Sequence, residues 1–321
     1  MHGVFNILKP PGMTSHDVVS VVRRATGVKR VGHTGTLDPL AAGVMVVCVG
    51  QATRLVETLQ GGSKEYITEI TFGFQTDTLD AEGEVIATGD ASHINLENLR
   101  AALDNFRGEI EQIPPLYSAI KQDGRKLYEL AREGVTDVEI PSRKVTISKL
   151  IVSKFVVQSI SSAARAMLHI ECSGGTYIRS LVRDIGQALD CPATMSFLVR
   201  TRNGAFSLDE ASTLEEITAQ PEMALVPMLE VLSWCADQIA VDDEKVQLLA
   251  QGRVVPSVGH SVLTEYKADA DAFKIRRTKL LQLGVSGHKI LFRSDDGKLA
   301  ALAVVSGDGC KSEKVFHLDS A

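Results

Sequence analysis

Apolar positions along the chain fall into helical and strand-like periods. Thr14-Ser15-His16-Asp17 reads as a capping sequence, and Val18, Val21 and Val22 then share one face of an expected amphipathic helix, with Arg23, Arg24, Lys29 and Arg30 following. Gly32 to Pro39 reads as a turn-rich loop. Val44 to Val49 is apolar throughout and rich in β-branched residues, as in a buried strand. Glu65 to Phe72 alternates, which puts Tyr66, Thr68, Ile70 and Phe72 on one side of a strand. Lys144 to Val157 and Arg165 to Cys172 read as strands, and Met195 to Phe206 as extended chain. Helices are expected over Ala52 to Leu59 and over Asn95 to Phe106, where Leu96, Leu99 and Leu103 are in line. A further amphipathic helix is expected over Thr176 to Leu189, opened by Gly174-Gly175.

Strands and helices alternate irregularly. That favours an α+β fold built on a mixed sheet over a regular βαβ series. The acidic stretch Asp209 to Glu230 contains Pro221 and Pro227 and reads as the end of a large domain with a connecting helix. After Trp234 the character changes. One short helix, Asp242 to Gly252, precedes short strands at Lys289 to Arg293, Lys298 to Val305 and Glu313 to Leu318, divided by turns such as Asp295-Asp296-Gly297. The expected division is a large domain over 1–235 and a small β-rich module over 236–321. A length of 321 residues accommodates two such domains.

Composition changes this picture little. The chain is 44% hydrophobic and 23% charged, ordinary for a globular protein. Its longest uncharged apolar run, Leu40 to Gly50, is well short of the ~20 residues a membrane helix needs. No basic segment precedes the apolar start and no small-residue cleavage site follows it, so a secretory signal is not expected. Cys48, Cys172, Cys191, Cys235 and Cys310 are scattered without a CxxC pair, which fits reduced thiols in the cytoplasm and no structural zinc. Charge is more informative. The net value of −6 alone argues against a polyanionic partner. Yet residues 66–115 carry −8 and residues 206–250 carry −9, while each remaining block is at +2 or +3. Such segregation permits a positive face on an acidic protein.

The usual chemical templates are missing. There is no GxxxxGK[ST], no GxGxxG after a strand, no HExxH and no GxSxG. What remains is the loop Gly32-His33-Thr34-Gly35-Thr36-Leu37-Asp38-Pro39-Leu40. Pro39 pushes Asp38 toward an extended conformation. Taken alone, an Asp before Pro reads as a turn former. Tyr66, near the start of its strand, reads alone as sheet packing. In Gly174-Gly175-Thr176-Tyr177-Ile178-Arg179-Ser180-Leu181, Arg179 lies in the first helical turn, at an unfavourable positive dipole end. An anionic partner would help to hold it there. Thr76-Asp77-Thr78-Leu79-Asp80-Ala81-Glu82-Gly83 resembles a calcium loop loosely, but the ligand spacing is not met and no metal is expected.

Seven segments together go further. Lys9-Pro10-Pro11-Gly12-Met13-Thr14-Ser15, Gly32 to Pro39, Lys64-Glu65-Tyr66, Thr76 to Asp80, Gln112 to Lys121, Gly175-Thr176-Tyr177-Ile178-Arg179 and Leu198-Val199-Arg200-Thr201-Arg202 occur in the order found in the TruB family of bacterial tRNA pseudouridine synthases. The chain resembles that family over residues 1 to about 206. The last module resembles an RNA-binding PUA domain in size, β content and position.

The resemblance implies a largely antiparallel sheet of the pseudouridine synthase type with flanking helices. It implies isomerisation of a tRNA uridine, at the T-loop position conventionally called 55, to pseudouridine. Asp38 matches the catalytic Asp, acting on the ribose C1′ or the uracil C6, or assisting loss of uracilate. Tyr66 matches a Tyr that packs on the base, and Arg179 an Arg that pairs with the carboxylate and keeps it ionised. Asp80 matches an acidic position that orients the Arg. The target base must be flipped out, with His33 filling the gap and Tyr177 and Leu198 lining the uracil pocket. Lys9, Lys64, Arg200 and Arg202 are expected at phosphates, and Lys121 and Arg125 on the same face. No cofactor is expected, because the reaction is redox-neutral and releases nothing. The expected partner is the tRNA T-arm, with no protein partner and a monomeric chain. Asn203 departs from the family, which more often carries a small or apolar residue there. Competing readings are a tRNA-folding chaperone with dispensable catalysis, a base-excising glycosylase, and a guide-RNA-dependent relative. The nearly neutral end His317-Leu318-Asp319-Ser320-Ala321 speaks against the last of these.

Overall fold

The computed structural model describes residues 1–122, 124–135, 138–157, 164–235, 237–240, 243–256, 289–293, 299–306 and 309–317. The chain divides into two units. The first comprises residues 1–39, 43–63 and 202–321, and the second residues 40–42 and 64–201.

In the first unit, strand Gly3–Lys9 pairs antiparallel with Ala42–Val49, from Gly3 opposite Val49 to Lys9 opposite Gly43. Its other edge takes the short strand Leu225–Pro227. Both central strands are largely apolar without alternation, apart from the buried Asn6 and Lys9, and are buried along nearly their whole length, as covered faces on both sides require. Helix Ser15–Thr26 begins at Thr14. The Thr14 hydroxyl accepts from the Asp17 amide at 3.1 Å, and the Asp17 carboxylate accepts from the Thr14 amide at 2.9 Å. Its buried stripe is Ser15, Val18, Val19 and Val22. Val19 therefore takes the place expected for Val21, because steps of three and four residues from Ser15 stay on one face. The helix expected over Ala52 to Leu59 is a 3₁₀ turn, Gly50–Leu55, continued by helix Val56–Gln60.

The acidic stretch forms helices Leu214–Ala219, Pro221–Ala224 and Met228–Cys235. Helix Asp243–Ala250 follows. A five-stranded sheet runs in the order Asp237–Ala240, Lys289–Arg293, Leu299–Ser306, Gly309–His317, Val255–Pro256. Its first pair is parallel and the others are antiparallel. The expected short strands and helix are thus present within a residue or a few, while the turn Asp295-Asp296-Gly297 lies outside the described residues. One apolar cluster joins Val4, Val44, Val46 and Leu55 to Met228, Val231, Leu302 and Phe316.

In the second unit the strand order is Ala193–Asn203, Lys64–Phe72, Ala164–Cys172, Arg143–Val157, Gly108–Gln112. Strand Lys64–Phe72 buries Lys64, Tyr66, Thr68, Ile70 and Phe72, on the expected side. Opposite them lie Cys172, Ile170, Leu168 and Ala166 of the antiparallel neighbour. Helices Leu96–Leu103 and Ile178–Ala188 belong to the same unit. Strand Gly108–Gln112 and the hairpin Phe74–Thr76 with Val85–Thr88 were not legible in the sequence. They are short and lack a clear apolar–polar alternation, and only their pairing makes them strands. The architecture is a mixed, largely antiparallel sheet with flanking helices; the pattern predicts the mixed sheet, and the family resemblance its largely antiparallel pairing. Among the described residues no helix is long and apolar enough to cross a membrane.

Candidate active site

Asp38 lies half-buried in the loop that follows strand Val31–His33 in the first unit. That loop is held at three places. The Thr34 amide donates to the Val46 carbonyl at 3.1 Å. The Ser15 hydroxyl accepts from the Leu37 amide at 2.9 Å and donates to the Leu37 carbonyl at 3.0 Å. The Pro39 carbonyl accepts from the Gly12 amide at 2.8 Å and from Lys9 Nζ at 3.2 Å. Asp38 therefore sits between two residues whose backbones are tied to the start of the chain. Lys9 is fully buried, and its ammonium also donates to the Pro10 carbonyl at 2.9 Å. Buried and committed to two carbonyls, it acts as a fastening of the loop. His33 is half-buried, and its Nδ1 accepts from the Gly35 amide at 3.3 Å. Arg202, also half-buried, belongs to this unit.

The second unit gathers another set. Arg179 is the second residue of helix Ile178–Ala188 and is only 5% exposed. Its Nη1 donates to the Thr78 carbonyl at 2.9 Å, and its Nη2 to the Tyr117 carbonyl at 3.0 Å. Asp80 Oδ2 lies 3.7 Å from Nη1. Asp80 is itself fixed, since Oδ1 accepts from the Thr78 hydroxyl at 2.6 Å and the Glu82 amide at 3.1 Å. Asp77 Oδ1 accepts from the Thr78 and Glu84 amides, and Asp77 Oδ2 from the Tyr117 hydroxyl. The carboxylates of this turn are thus spent on the turn and its neighbours. No metal-binding group of side chains occurs among the described residues. Leu79, between Thr78 and Asp80, has φ +64°, a strained value that the surrounding bonds hold in place.

Tyr177 caps the Arg179 helix without a side-chain cap bond. Gln112 supplies the missing contact. Its Oε1 accepts from the Tyr177 amide at 2.8 Å and its Nε2 donates to the Tyr177 carbonyl at 3.1 Å, with Gln112 1% exposed. The Ser180 hydroxyl donates to the Ile113 carbonyl at 2.8 Å. The Arg143 guanidinium lies 5.5 Å from the centre of the Tyr177 ring. Sequence reasoning assigned no role to Gln112 or Arg143. Gln112 stands inside a recognised segment, but its partner lies 65 positions away.

Tyr66 and Leu198 are buried on neighbouring strands, which the Thr68 hydroxyl links through the Phe197 carbonyl at 2.7 Å. Lys64 and Arg200 are 5% and 1% exposed. Burial, and then the Arg200 charge, lower the Lys64 pKa to about 8. Cys172, opposite Lys64, is pushed up to about 11 by burial. Arg125 is exposed and paired with Glu133, whereas the side chain of Lys121 lies outside the described residues.

One further feature of the first unit escaped the sequence. A cleft of about 620 Å³ is lined by Arg23, Lys29, Arg30, Arg54 and Lys314, with Glu57 as its one carboxylate. Arg23 donates to the Val31 carbonyl at 3.3 Å, and Lys314 to the Arg54 carbonyl at 2.8 Å with Glu57 3.8 Å away. Backbone carbonyls absorb hydrogen bonds without cancelling charge, so the cleft stays strongly positive.

Known proteins share this architecture. The crystal structure of a Cbf5-Nop10-Gar1 complex is similar with a TM-score of 0.65, over 99% of this chain and 86% of that one, at 24% identity. That likeness concerns the fold, which is the pseudouridine synthase fold. Residues 23–178 match the TruB family pseudouridylate synthase (N terminal domain), and residues 179–230 the tRNA pseudouridylate synthase B C-terminal domain. The tRNA pseudouridine synthase B of Symbiobacterium thermophilum is 53% identical over 225 residues, 70% of this chain and 74% of its own. That of Carboxydothermus hydrogenoformans is 44% identical over 270 residues, 84% of this chain and 88% of its own. The chain belongs to the TruB family of pseudouridylate synthases.

Proposed function

We propose that this protein converts a uridine of tRNA, the one at T-loop position 55, to pseudouridine, with Asp38 as the reacting carboxylate. The observation that carries the reading is the fastening of Asp38. Its neighbours Leu37 and Pro39 are each held by a buried side chain, Ser15 and Lys9. A carboxylate held this way meets its target without first being ordered. Relatives named tRNA pseudouridine synthase B supply the substrate class.

The reaction breaks the bond between N1 and C1′ and forms one between C5 and C1′. The hydrogen on C5 is released to solvent and N1 takes a proton, so nothing is oxidised or reduced and no cofactor is required. Asp38 acts on C1′ or C6, or assists departure of uracilate. Tyr66 packs on the base, Tyr177 and Leu198 line the pocket, and His33 fills the gap left by the flipped nucleotide. Arg179 is the cation that pairs with the reacting carboxylate, and Asp80 holds Arg179. Arg202 and the cations of the cleft take phosphates, while Lys9 and Lys64, both buried, serve the interior. Residues 236–321 add RNA-binding surface.

Tritium release from tRNA carrying C5-tritiated uridine tests this directly. Wild type releases about one equivalent per tRNA, and Asp38→Asn or replacement of the T-loop uridine abolishes it, on the premise that a general or nucleophilic catalyst contributes at least ~10². Tight binding by wild type without release would instead make the chain an RNA-binding and folding factor.

A further inference from the structure

Asn203 has no part in the chemistry just described. It ends strand Ala193–Asn203 and pairs with Phe206 across a turn in which Gly204 has φ +60°. Its side chain is 1% exposed, and Nδ2 donates to the Thr34 hydroxyl at 3.0 Å. Its Oδ1 is buried and makes no hydrogen bond. Thr34 is fully buried and opens the loop that carries Asp38.

A stranded buried acceptor destabilises a fold. A small or apolar side chain would avoid that cost and would leave the Thr34 hydroxyl without this donor. For folding, the bond gained at Nδ2 is thus set against the acceptor stranded at Oδ1. What the amide does is fix the side chain of the first residue in a short loop whose backbone is already tied at Thr34, Leu37 and Pro39. We propose that Asn203 is a positioning residue for Asp38, acting through Thr34. The inference rests on the reading of Asp38 as the reacting carboxylate. Its physical content is that reacting atoms must meet within a few tenths of an ångström, and a loop freed at one of its ties loses that alignment.

The test compares kcat, KM for tRNA and thermal midpoint in Asn203→Ala, Asn203→Ser, Thr34→Val, Thr34→Ser and the Asn203→Ala/Thr34→Val double variant, with Asp38→Asn alongside. Asn203→Ala and Thr34→Val are each expected to lower kcat roughly ten- to a hundredfold, the scale of a small misplacement, with KM changed less than about twofold. The double variant falls no further than the worse single one, as expected for two ends of one contact. Thr34→Ser, which keeps the hydroxyl, retains most of the rate. Asn203→Ser removes the reach to Thr34 with a small polar residue, and reads the same contact if Asn203→Ala fails to fold. Unchanged kcat in the folded Asn203 variants, additive losses, or a rise in KM alone would overturn the tether while loss of turnover in Asp38→Asn leaves the function standing. Turnover by Asp38→Asn would overturn both.

Discussion

Lys64 and Cys172 face each other across two strands with opposite effects on stability. The folded Lys64 has a pKa of about 8 against the ordinary 10.5. Between these values the unfolded chain holds the proton and the folded chain does not, so stability rises with pH from about 8. Cys172 stands at about 11 against 9.0. Above 9.0 the unfolded thiol ionises while the folded one keeps its proton, so this contribution falls as pH rises. Denaturant midpoints should therefore climb between about pH 8 and 9 and then level. In Lys64→Met the climb should vanish and the later fall remain, and an equal climb in the variant would assign it to another group. The alternation of this strand was legible in the sequence, because period two is a local property. That Lys64 is interior was not. It lies on the same side as Tyr66 and Phe72 in the sequence pattern, but only the neighbouring strand and Arg200 make the site costly for a charge.

At the scale of elements, local rules located most helices and strands and misplaced some of their faces and ends. The Thr14 capping box needs only residues three apart, so the start of helix Ser15–Thr26 was readable, whereas Val19 replaces Val21 in the stripe. Helix Ile178–Ala188 starts two residues later than expected, at a Tyr that cannot cap it. Its start is set by Gln112, from a strand the sequence did not reveal. Gln112→Ala removes both bonds and leaves the half-buried Tyr177 amide without its acceptor, while the Tyr177 carbonyl keeps the Leu181 amide. It should lower unfolding free energy by about 1–3 kcal/mol in urea titration. Gln112→Glu keeps an acceptor for the Tyr177 amide but buries a carboxylate against the Tyr177 carbonyl, and should lose at least as much as Gln112→Ala. A loss within about 0.5 kcal/mol for Gln112→Ala would mean that the Ser180 and Arg179 contacts hold this end of the helix without it.

For the whole molecule, net charge misleads and its distribution informs. Block charges of opposite sign left room for a positive face, and the structure gathers Arg23, Lys29, Arg30, Arg54 and Lys314 from distant segments around one cleft. If these cations take tRNA phosphates, replacing the exposed Lys29 and Arg30 by Ala should reduce the slope of log affinity against log salt by about one per residue. Turnover at saturating tRNA should stay near that of wild type. An unchanged slope would place the RNA elsewhere. The sequence by itself determined the family, the α+β class, most element positions and the segment holding Asp38, since motif order, period and caps are properties of neighbours in the chain. Only the tertiary structure decided that Lys9 and Ser15 fasten the Asp38 loop, that Asn203 reaches Thr34, and that Gln112 starts the Arg179 helix. Each of these is a hydrogen bond from a buried side chain to a group 22 to 169 positions away. Such partners are chosen by which polar groups the packed core leaves facing each other, and no local pattern records that choice.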